Sequence, residues 1–314
     1  MKITVFDLDT IGNDLDISPL TALGDCDFFP ATSLEELPAR IGDTEVAIVN
    51  KLKLTRQVLQ AAPKLKLICV AATGFDNIDL AACRELGIGV CNVPGYSTES
   101  VAMVTVAMVL NLMTHLPVFT DFVSSGDYTA CGLPNCLTPS FHDLQGKTWG
   151  IVGYGNIGKK VAEIARAFGC RVIYHRSAPD EMSVDMDTLC RESDIITLHC
   201  PLNENTRSLI NRKRLDLMKK SAVLVNVARG AVCDEAAVAD AIVQGEIGAF
   251  GCDVYAQEPF PADHPYVQIK DRNNVCLTPH IAWASFEART KVVREMAANI
   301  AAFQKGEKRN RVDL

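Results

Sequence analysis

Residues 149–177, WGIVGYGNIGKKVAEIARAFGCRVIYHRS, decide how this 314-residue chain is read. The stretch opens on a short apolar run and turns through Gly153, Gly155 and Gly158 in the spacing G-x-G-x-x-G. It continues through Asn156 and Ile157 into a row of helix formers and closes on a second apolar run, RVIYH. Alone, the glycine spacing is weak evidence; leaving a strand and opening a helix makes it specific, because each glycine then has a task. The first permits a tight turn, the second lets the backbone approach a pyrophosphate, and the third lets helix and strand pack closely. The N–H groups of the first helical turn, around Asn156 and Ile157, face the phosphates together with the positive end of the helix dipole. A strand–turn–helix–strand unit that holds a dinucleotide is the expectation.

The second strand should end where a carboxylate meets the adenosine ribose hydroxyls. His175, Arg176 and Ser177 stand there instead. A guanidinium cannot accept a hydrogen bond from a hydroxyl, yet it pairs well with a 2′-phosphate, and Ser177 could add a further bond. The local chemistry favours NADP(H). NAD(H) stays possible, with Arg176 stacked on adenine or turned to solvent, and Asp180 or Glu181 slightly further on could serve the ribose.

Outward from this unit the chain alternates short apolar runs with helical patterns. ITVFD, VAIVN, LKLICVA and GVCNV read as buried strands in the N-terminal part, with LTRQVLQAAP and LAACRELG as helices between them. A second series begins near Lys147, with TWGIVGYG, RVIYH, DIITLHC, AVLVNVA, AFGCDV and NVCLT as strands. Such alternation implies parallel sheets covered on both faces. Between the two series, Ser97 or Thr98 caps a long helix that is apolar nearly all round and ends just before Pro117; a long loop follows it. After His280 a last helix runs almost to the end. The expected fold is α/β with two doubly wound parallel-sheet domains, one inserted in the other: residues 1–97 plus 287–314, and residues 98–286.

Composition bounds the function. Apolar residues are 48% and charged residues 22%, ordinary for a globular chain, and the formal charge of −7 argues against nucleic acid or an anionic membrane as partner. The N-terminus turns acidic before any long apolar run, and the most apolar helix, SVAMVTVAMVLNLM, is short for a bilayer. The twelve cysteines are scattered through strands and helices without a CxxC pair, which reads as reduced cytoplasmic thiols and no metal site.

Three polar residues follow strands of the second series, where crevice residues of an open parallel sheet belong: Arg229 in NVARGAVCDE, Glu258 in CDVYAQEP and His280 in LTPHIAWAS. A nicotinamide that passes a hydride needs a partner that passes a proton, and histidine suits that task near neutral pH. A glutamate beside it fixes its tautomer and favours the imidazolium. An arginine holds an α-keto carboxylate by charge-assisted bonds.

Together with AATGFDNIDLAACRELGIGVCNVPGYSTESVA, LHCPLNENTRSLIN and the glycine stretch, these ordered motifs span nearly the whole chain and resemble the D-isomer-specific 2-hydroxyacid dehydrogenase family. The resemblance implies a Rossmann-type cofactor domain inserted into a flavodoxin-like substrate domain, a homodimer, and Arg229, Glu258 and His280 as catalytic residues acting on a small 2-keto or 2-hydroxy acid. It also implies that Ala72, Thr73 and Gly74 present backbone N–H groups to the substrate carboxylate, and that Pro201, Thr206, Val227 and Ala228 border the cofactor. Asp253 would face the nicotinamide amide and Thr105 the ribose beside it. Asn50, next to Lys51, and Trp283 look most like the glycerate dehydrogenase and hydroxypyruvate reductase branch. Arg176 departs from the Asp of many members, and Met103 stands where Glu is frequent. Readings as a D-lactate-type or phosphoglycerate dehydrogenase, or as a non-enzymatic NAD(H)-sensing co-repressor, stay open at this point.

Overall fold

The apolar runs of the N-terminal part become β1 (Lys2–Val5), β3 (Val46–Val49), β4 (Leu67–Val70) and β5 (Gly89–Cys91), joined by a fifth strand, β2 (Asp25–Phe28). The computed structural model describes all residues 1–314 and divides into two units, Met1–Ser97 with Trp283–Leu314, and Thr98–Ala282. The chain returns to the first unit at Trp283, ahead of the expected 287. The indole lies edge-on to Tyr96, with ring centroids 6.1 Å apart, and joins that unit's apolar cluster.

The five strands of the first unit pair in parallel, in the order β2-β1-β3-β4-β5. That is the flavodoxin-like order, with its switch point between β1 and β3. One face is covered by the Phe286–Gln304 helix, which buries Val292, Val293, Met296 and Ile300 against Ile3, Val5, Val46 and Leu67. Leu37, Leu59, Ala82 and Cys83 cover the other face. Burial on both faces is why β3 and β4 are continuous apolar runs.

The second unit holds β6 (Thr148–Val152), β7 (Arg171–His175), β8 (Ile195–Leu198), β9 (Val223–Asn226), β10 (Ala249–Cys252) and β11 (Val275–Leu277). These too are all parallel, in the order β11-β10-β9-β8-β6-β7. The order reverses between β6 and β8, so the crevice of this unit opens at the glycine turn after β6. Trp149 on β6 is fully buried and donates its indole N–H to Thr197 Oγ1 of β8 at 3.1 Å. The long helix runs Thr98–Thr114 and packs on the Asn156–Ala167 helix and on β9 to β11. It stops at His115, which takes a φ of 55°. Pro117 then opens a further helix, Leu116–Ser124, in the first turn, where its missing N–H costs no bond. A short helix, Asp127–Cys131, interrupts the stretch expected to be loop. No single helix is long and apolar enough to cross a membrane. The twelve cysteines are free thiols, most of them buried.

The C-terminal tail is tied to β5. Val312 N–H donates to Val90 O at 2.9 Å, and Val90 N–H to Asp313 Oδ1 at 2.8 Å. Arg311 Nε reaches the same carboxylate at 2.6 Å. Burial alone would raise the Asp313 carboxyl, but the bonds from Arg311 and Val90 outweigh it and leave it below the ordinary value. A depressed folded-state value stabilises above the unfolded pKa and ceases to do so as pH falls through the folded one. Asp313→Asn should therefore lower the melting temperature at neutral pH, by about 1 kcal/mol of stability. It should also flatten the acid limb of a melting-temperature profile below about pH 4; an unchanged limb would contradict this anchoring.

Candidate active site

The glycine turn fits the phosphates of a dinucleotide. Gly153 has a φ of +94°, and a Cβ there would lie 2.6 Å from Cys200 N, so only glycine can make the turn. A Cβ on Gly158 would meet Gly153 O at 2.2 Å, whereas one on Gly155 would meet nothing within 4 Å. The middle glycine thus faces open space, where a ligand can approach its backbone. Gly155 is also the N-cap of the Asn156–Ala167 helix, and no side chain caps that end. Asn156 is exposed and Ile157 half-buried at the mouth of this cradle.

The turn is bonded to the end of β7 through Gly153 N–H and His175 O at 2.9 Å. Tyr154, inside the turn, stacks on Tyr174 with centroids 3.7 Å apart and planes 5° from parallel. His175 Nδ1 lies 3.0 Å from Val184 O. Arg176 Nη1 lies 3.0 Å from Asp180 Oδ2, both side chains remaining 39% exposed, with Ser177 exposed beside them. A cationic, solvent-reachable group therefore stands beside the glycine turn.

Glu258 and His280 meet: Oε2 of the first lies 2.6 Å from Nδ1 of the second. Glu258 Oε1 accepts the N–H of Tyr255 at 3.0 Å, which fixes the carboxylate on its own loop. His280 is in the left-handed region, φ 57°, a conformation that costs a non-glycine residue roughly 1–2 kcal/mol. Asp253 holds that turn. Its buried carboxylate accepts from Thr278 Oγ1 at 2.5 Å and from the N–H groups of Ile281 and Ala282, both at 2.8 Å. Arg229 joins them through the backbone. Asn226 at the end of β9 donates to Arg229 O at 2.9 Å and accepts from Ala228 N–H at 3.0 Å. A Cβ on Gly230 would come within 2.0 Å of Tyr255 C, so the Arg229 turn lies directly on the loop that carries Glu258.

Sequence reasoning missed the support beneath this loop. Glu235 accepts Ala256 N–H at 2.9 Å and pairs with His264 Nε2 at 3.0 Å, while His264 Nδ1 accepts Tyr266 N–H at 3.2 Å. A motif search finds no signal in such a pair, since its partners are far apart in sequence. His199, at the end of β8, has both ring nitrogens buried without a partner, and burial pushes its pKa down to about 3, so the ring is neutral.

The other expected residues are placed as follows. Val227 and Ala228 form the buried turn before Arg229, and Thr206 Oγ1 closes the neighbouring loop on Pro201 O at 2.7 Å. Thr105 is fully buried and its hydroxyl donates to Val101 O at 2.7 Å inside its own helix, so the expected ribose contact has no exposed group to make it. In the first unit Thr73 Oγ1 donates to Val93 O at 2.9 Å and Thr73 O accepts from Asn92, which shapes the 72–74 loop, with Ala72 and Gly74 half-buried. Asn50 is buried and spends its amide N–H on Thr10 O and Oγ1, at 3.1 and 3.0 Å. Trp283 packs on Tyr96.

A doubly wound sheet with a dinucleotide turn at its switch point, and a His–Glu pair with an Arg at neighbouring strand ends, defines a nicotinamide-dependent oxidoreductase. Residues 106–282 match the family described as D-isomer specific 2-hydroxyacid dehydrogenase, NAD binding domain. The chain is 38% identical to the glycerate dehydrogenase of Methylorubrum extorquens over 279 residues, 89% of this chain and 88% of that protein. It is 34% identical to the hydroxypyruvate reductase of Blautia hydrogenotrophica over 317 residues, 98% of each. The D-lactate dehydrogenase of Aquifex aeolicus, solved with NAD and lactic acid, superposes with a TM-score of 0.88 at 29% identity, covering 100% of this chain and 99% of that one. The chain belongs to the D-isomer-specific 2-hydroxyacid dehydrogenase family, and is an oxidoreductase of CH–OH donors that works with a nicotinamide cofactor.

The geometry makes Asp253 the anchor of the His280 turn. Asp253→Ala strands two backbone N–H groups and the Thr278 hydroxyl, each worth roughly 1–3 kcal/mol when buried unpaired. The variant should lose several degrees of melting temperature by calorimetry and lose turnover more than ten-fold; wild-type values for both would refute the anchoring role.

Proposed function

We propose that the chain reduces small 2-keto acids of the glyoxylate and hydroxypyruvate kind to D-2-hydroxy acids, reversibly, with NADP(H) as the favoured cofactor. The observation that carries the mechanism is the 2.6 Å contact between His280 Nδ1 and Glu258. It commits Nδ1 to the carboxylate and makes Nε2 the atom that exchanges a proton with the substrate oxygen. The Glu258 carboxylate fixes the ring's orientation, so that Nε2 can pass a proton to the ketone oxygen. The glycine turn would hold the pyrophosphate of the dinucleotide, whose nicotinamide would supply the hydride. Arg229 holds the substrate carboxylate by charge-assisted bonds and polarises the adjacent carbonyl. Asp253 enters through the turn that aims His280. The names of the two relatives support the substrate class.

Arg176 supports NADP(H), since a half-exposed guanidinium beside the glycine turn suits a 2′-phosphate. A homodimer joined through the cofactor unit is part of the same reading. Met103, Leu116, Val123, Leu133, Leu137 and Phe141 are exposed within one stretch of this unit, apolar side chains that a second copy would cover. The free thiols suit a reducing cytoplasm.

His280→Ala should lower kcat by roughly 10²–10⁴ with glyoxylate or hydroxypyruvate. NADPH binding, followed by nicotinamide fluorescence, should stay within about twofold. Near-normal turnover would overturn the assignment. Arg176→Ala should raise the KM for NADPH by roughly 10–100-fold, the loss of one charged hydrogen-bonding partner, with little change for NADH; equal changes for both would count against the NADP(H) reading.

A further inference from the structure

Arg176 already has an anionic partner. Asp180 Oδ2 lies 3.0 Å from its Nη1. That carboxylate is no loose surface group, because its other oxygen accepts from Tyr174 OH at 2.8 Å and from Met182 N–H at 3.1 Å. Ser183 Oγ, 3.0 Å from Asp180 N and 2.8 Å from Asp180 O, closes the loop around it. Tyr174 is itself held by its stack on Tyr154 in the glycine turn. The Tyr174 hydroxyl, first, and then the Met182 N–H and Arg176 keep the Asp180 carboxyl below its ordinary range, so it is ionised at neutral pH.

We propose that Asp180 is a specificity-determining residue: it occupies the guanidinium as an internal substitute for the 2′-phosphate and thereby blunts the preference for NADP(H) that Arg176 would otherwise impose. The inference rests on the reading of Arg176 as the 2′-phosphate ligand. A phosphate arriving at Arg176 must displace a carboxylate held by two further donors, and then stand near its negative charge. NAD(H), lacking the phosphate, meets neither cost. Asp180 touches no reacting atom; it acts through Arg176.

Asp180→Asn keeps an acceptor for Tyr174 and removes the charge. Dissociation constants for NADPH and NADH, measured by nicotinamide fluorescence on the full-length wild type, Asp180→Asn, Asp180→Ser and Arg176→Ala, test the idea without recourse to turnover. Both Asp180 variants should bind NADPH roughly tenfold more tightly, from loss of an exposed ion pair and of one repulsive charge. NADH affinity should stay within about twofold. Two independent substitutions guard against a local folding defect in either. Unchanged or weaker NADPH binding in both, or an equal gain for NADH, overturns the proposal. Selective weakening of NADH overturns it too, since Asp180 would then be serving the ribose. If Arg176→Ala leaves NADPH affinity intact, the NADP(H) reading falls and this inference with it. If Arg176→Ala weakens NADPH while the Asp180 variants do not tighten it, the competition alone is refuted.

Discussion

One buried carboxylate sets the geometry of the candidate site. Asp253 leaves β10, and its carboxylate accepts three bonds from the chain leaving β11, donated by Thr278, Ile281 and Ala282. A histidine at a φ of 57° would relax to a commoner conformation unless its neighbours were over-determined, and these three bonds over-determine them. The contact of His280 with Glu258 follows, because both ends of the turn are fixed before the side chain reaches out. The His280–Glu258 pair is thus oriented by a residue that is itself almost inaccessible to solvent.

The same device recurs sideways along the edge of the sheet. Asn226 shapes the turn after β9, Asp253 the turn after β11, and the Glu235–His264 pair supports the loop after β10. Gly230 lets the first of these lie on the last without an intervening side chain. Parallel strands present all these exits at one end, so short polar bonds between neighbouring turns suffice to gather residues far apart in sequence. The candidate trio is held as one rigid patch rather than as three independent loops.

How much of this was legible follows from the kind of signal each part leaves. Strands buried on both faces are apolar runs, and ten of the eleven stand where such runs are found. β2 leaves no run, because at the sheet edge its Asp25 and Asp27 face out and pair with Lys2. The helix after Pro117 was hidden by treating proline as a stop, although at a first turn it is a start. Arg229, Glu258 and His280 stand out as polar residues directly after apolar strands. The roles of Asp253 and Asn226 in aiming them depend on where other backbones pass, which no local pattern encodes. Thr105 illustrates the reverse: the residue type suits a ribose, but its hydroxyl is consumed within its helix.

The loop 176–184 is fastened to β7 by its own root. Val184 N–H bonds Tyr174 O at 2.9 Å, and His175 Nδ1 lies 3.0 Å from Val184 O. Its tip, which carries the charged side chains, meets the strand again through one side-chain bond, from Tyr174 OH to Asp180 Oδ1 at 2.8 Å. Arg176 and Asp180 both lie beyond the last ladder residue of β7, so exchanging them leaves the pairing of β6 with β7 in place and confines any change to one surface segment.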